Sequence, residues 1–496
     1  MKAFTITTFI LLFVVSCSYE GNYIYPIEGS DDIIVAKGAD SCSFVNVEKS
    51  NEDPSYYFVN NETAASFVNL QYPERKVIHS ETISDGGSSL YLFDFEDGWA
   101  IVASDKRMQP LLAISNEGYI DSKTLVNGPM AGWYNLVSEE LKALKDYNPN
   151  IDNEYVRFWN SFGSNTFFYD NGDSESMSTK GEPGEPHFVW GKLLMSSYLW
   201  SDFTLIDIGH LLETKWGQSS PWNVSMPVIS STNIHLLTGC VAVALSQIIY
   251  YEHFEQGHPS FLYHDPSIIS YFCTPISDSQ GVVTVDVNRG ILADSSTRWS
   301  QMAVDSTCIG DANRFKYVSD LMLDIGNLVD MHYSYSNNYP DISYAFDDDS
   351  LTNFRNVLYD YGFDANYSAY SFNTVYTEIS NLRPVFIANN GHAWIIDGYV
   401  KRNLCYKLTY YWSKIYDSSL WENCSVIDED PDSIHHEGDE EYEYLYTSLR
   451  FLKMNWGYDG QDNDVLVSLQ SSGSWNVGNY SSVNTKLITS INPSQL

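Results

Sequence analysis

The chain has 496 residues, 44% of them hydrophobic and 15% aromatic, which is too long for one typical domain and enough for more than one core. Its 27 Lys and Arg stand against 64 Asp and Glu, a formal net charge of −37. Such a surface repels phosphate backbones and excludes nucleic acid as a partner, and 37 Tyr, 24 Phe and 13 Trp exclude a disordered acidic chain.

Lys2 followed by the apolar run Phe9-Ile10-Leu11-Leu12-Phe13-Val14-Val15 is of signal-peptide length, too short to span a bilayer as a mature helix. The run ends in Val14-Val15-Ser16-Cys17, which resembles a bacterial lipobox. That resemblance implies a signal peptide at 1–16 and acylation of Cys17. The protein is then expected to be extracytoplasmic, held at a bacterial membrane (the outer one) or cell surface through lipid alone, and open to release by processing. Residues 17–43 are polar and read as a tether.

A first domain is expected over 44–165. Leu90-Tyr91-Leu92-Phe93-Asp94-Phe95 and Gly98-Trp99-Ala100-Ile101-Val102-Ala103-Ser104 are short β-rich runs separated by the turn signal Glu96-Asp97-Gly98. Ala131 to about Tyr147 carries Leu136, Leu141 and Leu144 at helical spacing. Composition then shifts. Asp170 to Pro186 is rich in Gly, Ser, Glu and Pro, so 166–206 reads as a linker with an exposed processing site.

The second domain is expected over 207–496. Thr238-Gly239-Cys240 opens a helix that is apolar nearly all round and therefore buried at the domain centre. A thiol there meets the positive helix terminus and its unpaired N–H groups, which favour thiolate and can also stabilise an oxyanion. Arg383 to Ala388 and His392 to Asp397 are strand-like runs joined by Asn389-Asn390-Gly391, a hairpin signal, and Ser448 to Trp456 would extend that sheet. A central helix on an antiparallel sheet is an α+β arrangement. His392 is the base and proton donor that Cys240 would need, brought to it by the fold.

The chain has seven cysteines. Cys405 and Cys424 flank one aromatic segment and could close a loop, though sequence alone fixes no pairing. No CxxC pair points to zinc. His435-His436 with nearby carboxylates fits no ligand spacing and reads as part of an acidic solvated loop.

Several motifs in order resemble the streptopain family of papain-like cysteine peptidases. They are Leu212-Glu213-Thr214-Lys215-Trp216-Gly217-Gln218 with Pro221-Trp222-Asn223, then Thr238 to Ala242, then Gly391 to Tyr399, then Asn455-Trp456-Gly457-Tyr458. In the first domain, Gly98 to Arg107 and Pro110 to Ser115 resemble the family's inhibitory propeptide. The resemblance implies a papain-like α+β fold behind a smaller α+β propeptide, and a cysteine endopeptidase made as a latent zymogen. It implies protein or peptide substrates, the chain's own propeptide as inhibitor, and no cofactor or metal. By the same resemblance Cys240 and His392 are catalytic and Gln218 is the second oxyanion donor. Asn455 would accept the second imidazole N–H, and Trp456 would shield that bond.

Two departures stand out: Trp222 replaces a usual tyrosine, and Tyr458 replaces the tryptophan of a Trp-Gly-Trp-Gly run. Residues 401–446 look like an acidic insertion atypical of the family. Two other readings use the same residues: a catalytically silent surface lipoprotein that binds protein or glycan, and a Cys/His acyltransferase.

Overall fold

The computed structural model describes residues 54–85, 88–163, 189–229, 234–258, 268–273, 283–288, 296–308, 312–329, 331–336, 339–343, 348–389, 392–415, 424–428, 435–469 and 485–493. The expected signal peptide, the lipidation site Cys17, the tether and the segment 164–188 lie outside the described residues.

The first unit opens with α1 (Asn61–Gln71), capped by the Asn60 side chain accepting from Thr63 N. Four antiparallel strands follow: β1 (His79–Asp85), β2 (Ser88–Phe95), β3 (Gly98–Ala103) and β4 (Leu111–Ser115). Gly98 at φ 130 makes the β2–β3 turn, where a Cβ would lie 2.3 Å from Ser115 O. Then come α2 (Ser122–Asn127), α3 (Ala131–Tyr147) and α4 (Glu154–Gly163). The bounds of α3 are those its leucine spacing gives, with Asn148 closing it in the left-handed conformation.

The second unit begins earlier than its composition suggests. Val189–Ile208 is one 20-residue strand, β5, where a linker was expected to continue to 206. It is followed by the small hairpin β6 (Val228–Ile229) and β7 (Ile234–His235), then α5 (Cys240–Tyr250). Two further hairpins, β8 (Ile268–Cys273) with β9 (Val283–Asn288) and β10 (His332–Ser336) with β11 (Tyr339–Ser343), flank α6 (Ser296–Trp299) and α7 (Ala312–Leu328). The chain continues through α8 (Asp348–Asp360), β12 (Phe363–Ala369), α9 (Phe372–Ser380), β13 (Val385–Asn389) and β14 (His392–Ile415). It ends with β15 (Cys424–Asp428), β16 (Glu440–Asn455), β17 (Leu466–Val467) and β18 (Lys486–Pro493).

Apart from the three small hairpins β6-β7, β8-β9 and β10-β11, these strands make one antiparallel sheet drawn from both units in the order β1-β2-β3-β4-β17-β16-β14-β13-β18-β12, with β5 pairing β14 and β15. The α+β expectation holds. The first unit's strands join the second's through β4 and β17, where Leu466 pairs Ile114. The expected insertion at 401–446 is largely sheet: β14 runs on to Ile415 and β16 starts at Glu440, in continuous register from Arg402 opposite Leu449 to Tyr411 opposite Glu440. His435 is not free in solvent either, since its ring stacks on Trp412 at 3.5 Å.

Cys424 pairs with Leu193, which in turn faces Tyr411. It therefore sits six residues along and two strands across from Cys405, about 20 Å away at roughly 3.3 Å per residue. That is beyond the span of a disulfide between them.

Three cores hold the molecule. One gathers α5, α7 and α8 on one face of the sheet, including Val241, Leu245, Leu321 and Ile395. A second, on the opposite face, joins Trp133 and Val137 of α3 to Trp394, Met454 and Trp456. The third joins Phe67, Phe158 and Trp159 to Leu404, Tyr406 and Leu449. The second and third are each built from both units, so the first unit is docked by buried apolar surface rather than by its tether.

Candidate active site

Cys240 is the first residue of α5, and Gly239 before it holds φ 93, which a side-chain-bearing residue rarely adopts. No side chain caps this helix. Its first N–H groups are therefore left for a ligand or the thiol itself. Every residue from Val241 to Tyr250 is buried, so the cysteine is presented by a rigid rod.

The His392 strand runs past this helix end. The backbone of Ala393, the residue after His392, lies beside the Cys240 sulfur and favours its ionised form. Desolvation nevertheless dominates and pushes the Cys240 thiol above its ordinary value. His392 is buried, and desolvation pulls it down to about 4, opposed by its bond to Trp456. Both directions favour the neutral thiol and neutral imidazole in this covered form.

The imidazole's partner differs from the expected one. His392 Nε2 lies 3.1 Å from the Trp456 backbone carbonyl, to which it donates. The Asn455 carboxamide, expected in that role, is committed elsewhere: Nδ2 donates to Thr214 O (2.7 Å) and Gln247 Oε1 (3.1 Å), and Oδ1 accepts from Gln247 Nε2 (3.2 Å) and Gly457 N (3.2 Å). Adjacent residues on a strand point their side chains to opposite faces, so a carbonyl one step along can replace a side chain that faces away. Asn455 thus ties α5, the Thr214 segment and the end of β16 together.

The Trp456 ring is fully buried, its Nε1 donating to Asp462 O (3.0 Å). The ring that lies along the imidazole is Trp394, 5.6 Å away and tilted by 18°. Trp456 backs Trp394 at 5.7 Å. Tyr458 completes the wall, 5.4 Å from His392.

Gln218 is drawn to the helix start by its own backbone, whose carbonyl accepts from Thr238 N (3.0 Å) and Thr238 Oγ1 (3.4 Å). Burial raises the Tyr458 hydroxyl above its ordinary value, and the nearby Gln218 side chain opposes that shift. The fold therefore gathers Cys240, His392, Gln218 and Trp456 at one place, with Asn455 behind them. Three neighbours carry no role in the motif reading. Trp394 and Tyr458 lie inside the quoted motifs, two positions after His392 and Trp456, with nothing local to say that they flank the imidazole. Gln247, two turns into an apolar helix, is signalled by its polarity.

Among the described residues no cluster of His, Cys, Asp and Glu could hold a metal ion. None of their helices is long and apolar enough to cross a membrane.

The first unit covers this centre. Gly132 in the first turn of α3 packs so closely that a Cβ would lie 2.8 Å from the Trp394 ring and 3.5 Å from His392 Cβ. Asn389, paired with His392 across the hairpin, donates to Gly132 O (3.1 Å), and Trp133 Nε1 donates to Ser468 O (2.8 Å).

The fold therefore belongs to the α+β class in which a cysteine opening a buried helix lies beside an antiparallel strand opened by a histidine. Comparison of the sequence makes the assignment specific: the peptidase C10 family profile matches residues 216–465, and the chain belongs to that family. It is 23% identical over 408 residues to streptopain of Streptococcus pyogenes, covering 76% of this chain and 84% of that protein, with the same figures for the serotype M1 protein. Among solved structures, a prointerpain A fragment of Prevotella intermedia carrying a cysteine-to-alanine change aligns with 83% of this chain and 97% of its own. That alignment has 17% identity and a TM-score of 0.46. Active interpain A of the same organism aligns with 57% of this chain and 95% of its own, at 17% identity and a TM-score of 0.34.

Proposed function

We propose that the protein is a cysteine endopeptidase that cleaves peptide bonds of protein or peptide substrates and is made as a latent zymogen. The observation that carries this reading is the meeting of Cys240 at a helix start with the backbone beside His392. In the proposed reaction His392 takes the thiol proton and the Cys240 thiolate adds to the peptide carbonyl. The oxyanion is held by the Cys240 N–H and the Gln218 carboxamide. The imidazolium, its second N–H held by the Trp456 carbonyl, protonates the leaving amine. Water, deprotonated by the same imidazole, then releases the acyl-enzyme. No step calls for a metal or an organic cofactor.

The first unit is the proposed inhibitor. The fit of Gly132 against Trp394 and His392 supports this, because α3 packs directly on the strand that carries the imidazole. Desolvation in the covered form holds the pair neutral, which opposes the thiolate that the reaction needs. The N-terminal apolar run and Cys17 support export as a lipid-anchored protein whose processing falls in the segment after Gly163.

Incubation with an epoxide-type thiol inhibitor, followed by peptide mass spectrometry, tests the proposal. Labelling at Cys240 that is lost in Cys240→Ala and slowed in the uncut chain is expected. An unlabelled Cys240 in a folded fragment beginning at Val189, freed of the first unit, would remove the peptidase assignment.

A further inference from the structure

Gln247 is fully buried two turns along the largely apolar helix that starts with Cys240. Its carboxamide is joined to that of Asn455 by two reciprocal hydrogen bonds. Gln247 Nε2 donates to Asn455 Oδ1 (3.2 Å), and Asn455 Nδ2 donates to Gln247 Oε1 (3.1 Å). Backbone groups fix which way each carboxamide faces. Trp216 N donates to Gln247 Oε1 (3.3 Å) and Gly457 N to Asn455 Oδ1 (3.2 Å), and a backbone N–H can only donate. Thr214 O, which accepts from Asn455 Nδ2 (2.7 Å), can only accept.

The bond from Gly457 N reaches the active site. That N–H and the Trp456 carbonyl belong to one rigid trans peptide plane, in which they point opposite ways. At one end of the plane Asn455 Oδ1 accepts from Gly457 N, and at the other Trp456 O accepts from His392 Nε2 at 3.1 Å. Turning the plane breaks both bonds together. Gly457 itself lies against α5, where at φ 73 a Cβ would be 3.2 Å from Val243 Cγ1. The plane is thus tied through Asn455 to Gln247, and through Gln247 to the helix that presents Cys240. Trp216 N and Thr214 O anchor the other side of the pair, two and four residues before Gln218.

Space filling does not call for these two carboxamides. Hydrogen bonds made in a core return about what burying their groups takes, so leucine or methionine would fill the volume as well. What the carboxamides add is direction.

We infer that Gln247 is a positioning residue for peptide hydrolysis: through Asn455 it holds the peptide between Trp456 and Gly457 with the Trp456 carbonyl facing the His392 imidazole. This rests on the proposed chemistry of Cys240 and His392 and adds a residue that touches neither the substrate nor the imidazole. With the carbonyl held, the imidazolium keeps an acceptor for its second N–H, which stabilises the charged pair of thiolate and imidazolium.

The test uses enzyme matured from the full chain and freed of the first unit, with tagged wild-type enzyme added to cut the variants and then removed. Gln247→Leu is expected to lower kcat about tenfold with KM unchanged, the scale of one hydrogen bond. The acid limb of Cys240 alkylation by iodoacetamide should move up by about one pH unit, the same factor expressed as a pKa. Asn455→Leu should move it the same way, and adding Gln247→Leu to that variant should cost nothing further. Gln247→Glu separates positioning from packing. Its protonated carboxyl both accepts and donates, as the carboxamide does, whereas the carboxylate only accepts. Its kcat relative to wild type should therefore be about one at acid pH and fall to the level of Gln247→Leu as pH rises. Wild-type kcat or an unmoved acid limb in folded Gln247→Leu would overturn the inference. So would a Gln247→Glu ratio that does not vary with pH, or a Gln247→Glu chain that fails to fold even at acid pH. Failure of the underlying peptidase reading shows separately, as a wild-type enzyme that neither hydrolyses peptide nor alkylates at Cys240.

Discussion

Burial governs the chemistry of the individual residues here. Cys240→Ala should abolish hydrolysis and self-processing and leave the fold intact, because alanine at a helix start costs little; circular dichroism with a fluorogenic peptide checks both. His392→Ala should lose about 10²–10⁴-fold, the usual worth of general acid–base help, and nothing more on top of Cys240→Ala. The buried imidazole also makes stability depend on pH. Its folded value near 4 lies below the ordinary 6.5, so between those values the unfolded chain binds the extra proton. Stability is then fully present above about pH 6.5 and is lost as pH falls toward 4, by up to about 3 kcal/mol for this one group. In a Cys240→Ala background, His392→Asn should flatten the melting temperature across that window, and parallel curves would contradict the assignment. That Cys240 opens a helix and His392 a strand was legible in the sequence because glycines and apolar runs beside them mark those starts. The acceptor for His392 was not legible, since every residue carries a carbonyl and only strand geometry decides which one is used. Asn455 was read into that place because it is the polar side chain nearest in sequence.

Helices and strands divide in legibility according to what stabilises them. The amphipathic α3 was readable from its own leucines, whereas β5 was not, because its pairing with β14 along Tyr399 to Ile415 is a tertiary fact absent from the local pattern. The same holds for the extension of β14 and β16, whose acidic and aromatic composition reads as a loop until the register is known. Helix α3 is also where the two units are most sensitive. Gly132→Leu would drive a side chain into the fully buried Trp394 ring, so the uncut variant should alkylate at Cys240 faster than the uncut wild type. On the same helix, Glu140 is pushed up to about 8 by desolvation, with Asp105 adding to it, and it faces Tyr370 of the second unit electrostatically. A carboxyl raised in the folded state contributes stability at low pH that is lost as pH rises through its folded value. The docked α3 should therefore loosen as pH rises from the ordinary carboxyl range to about 8 and change no further above it, seen as faster alkylation of Cys240 in the uncut chain relative to a fragment beginning at Val189. Glu140→Gln should remove that difference, and an unchanged pH profile in this variant would separate Glu140 from the docking.

At the scale of the whole molecule, two of the three cores draw on both units, so cutting the chain after Gly163 does not by itself separate them. The Arg450 guanidinium meets Glu154 at 2.8 Å, Arg450 N donates to Gln109 (2.7 Å) and Ser448 N donates to Glu154 (3.3 Å), so the first unit also caps the outer edge of β16. Latency should accordingly follow dissociation of the first unit and not the cut alone. A fragment beginning at Val189 keeps β5 between β14 and β15 and should fold and hydrolyse a fluorogenic peptide faster than the uncut chain. It leaves Leu404, Tyr406 and Leu408 uncovered, so the separately produced piece 54–163 should bind it and slow it again. A fragment beginning at Gly209 lacks β5 and strips β14 of a partner from Tyr399 to Ile415; it should fail to fold, by loss of cooperative melting. Equal rates for the uncut chain and the Val189 fragment would make the first unit an accessory module and not an inhibitor, and a well-folded Gly209 fragment would make β5 dispensable.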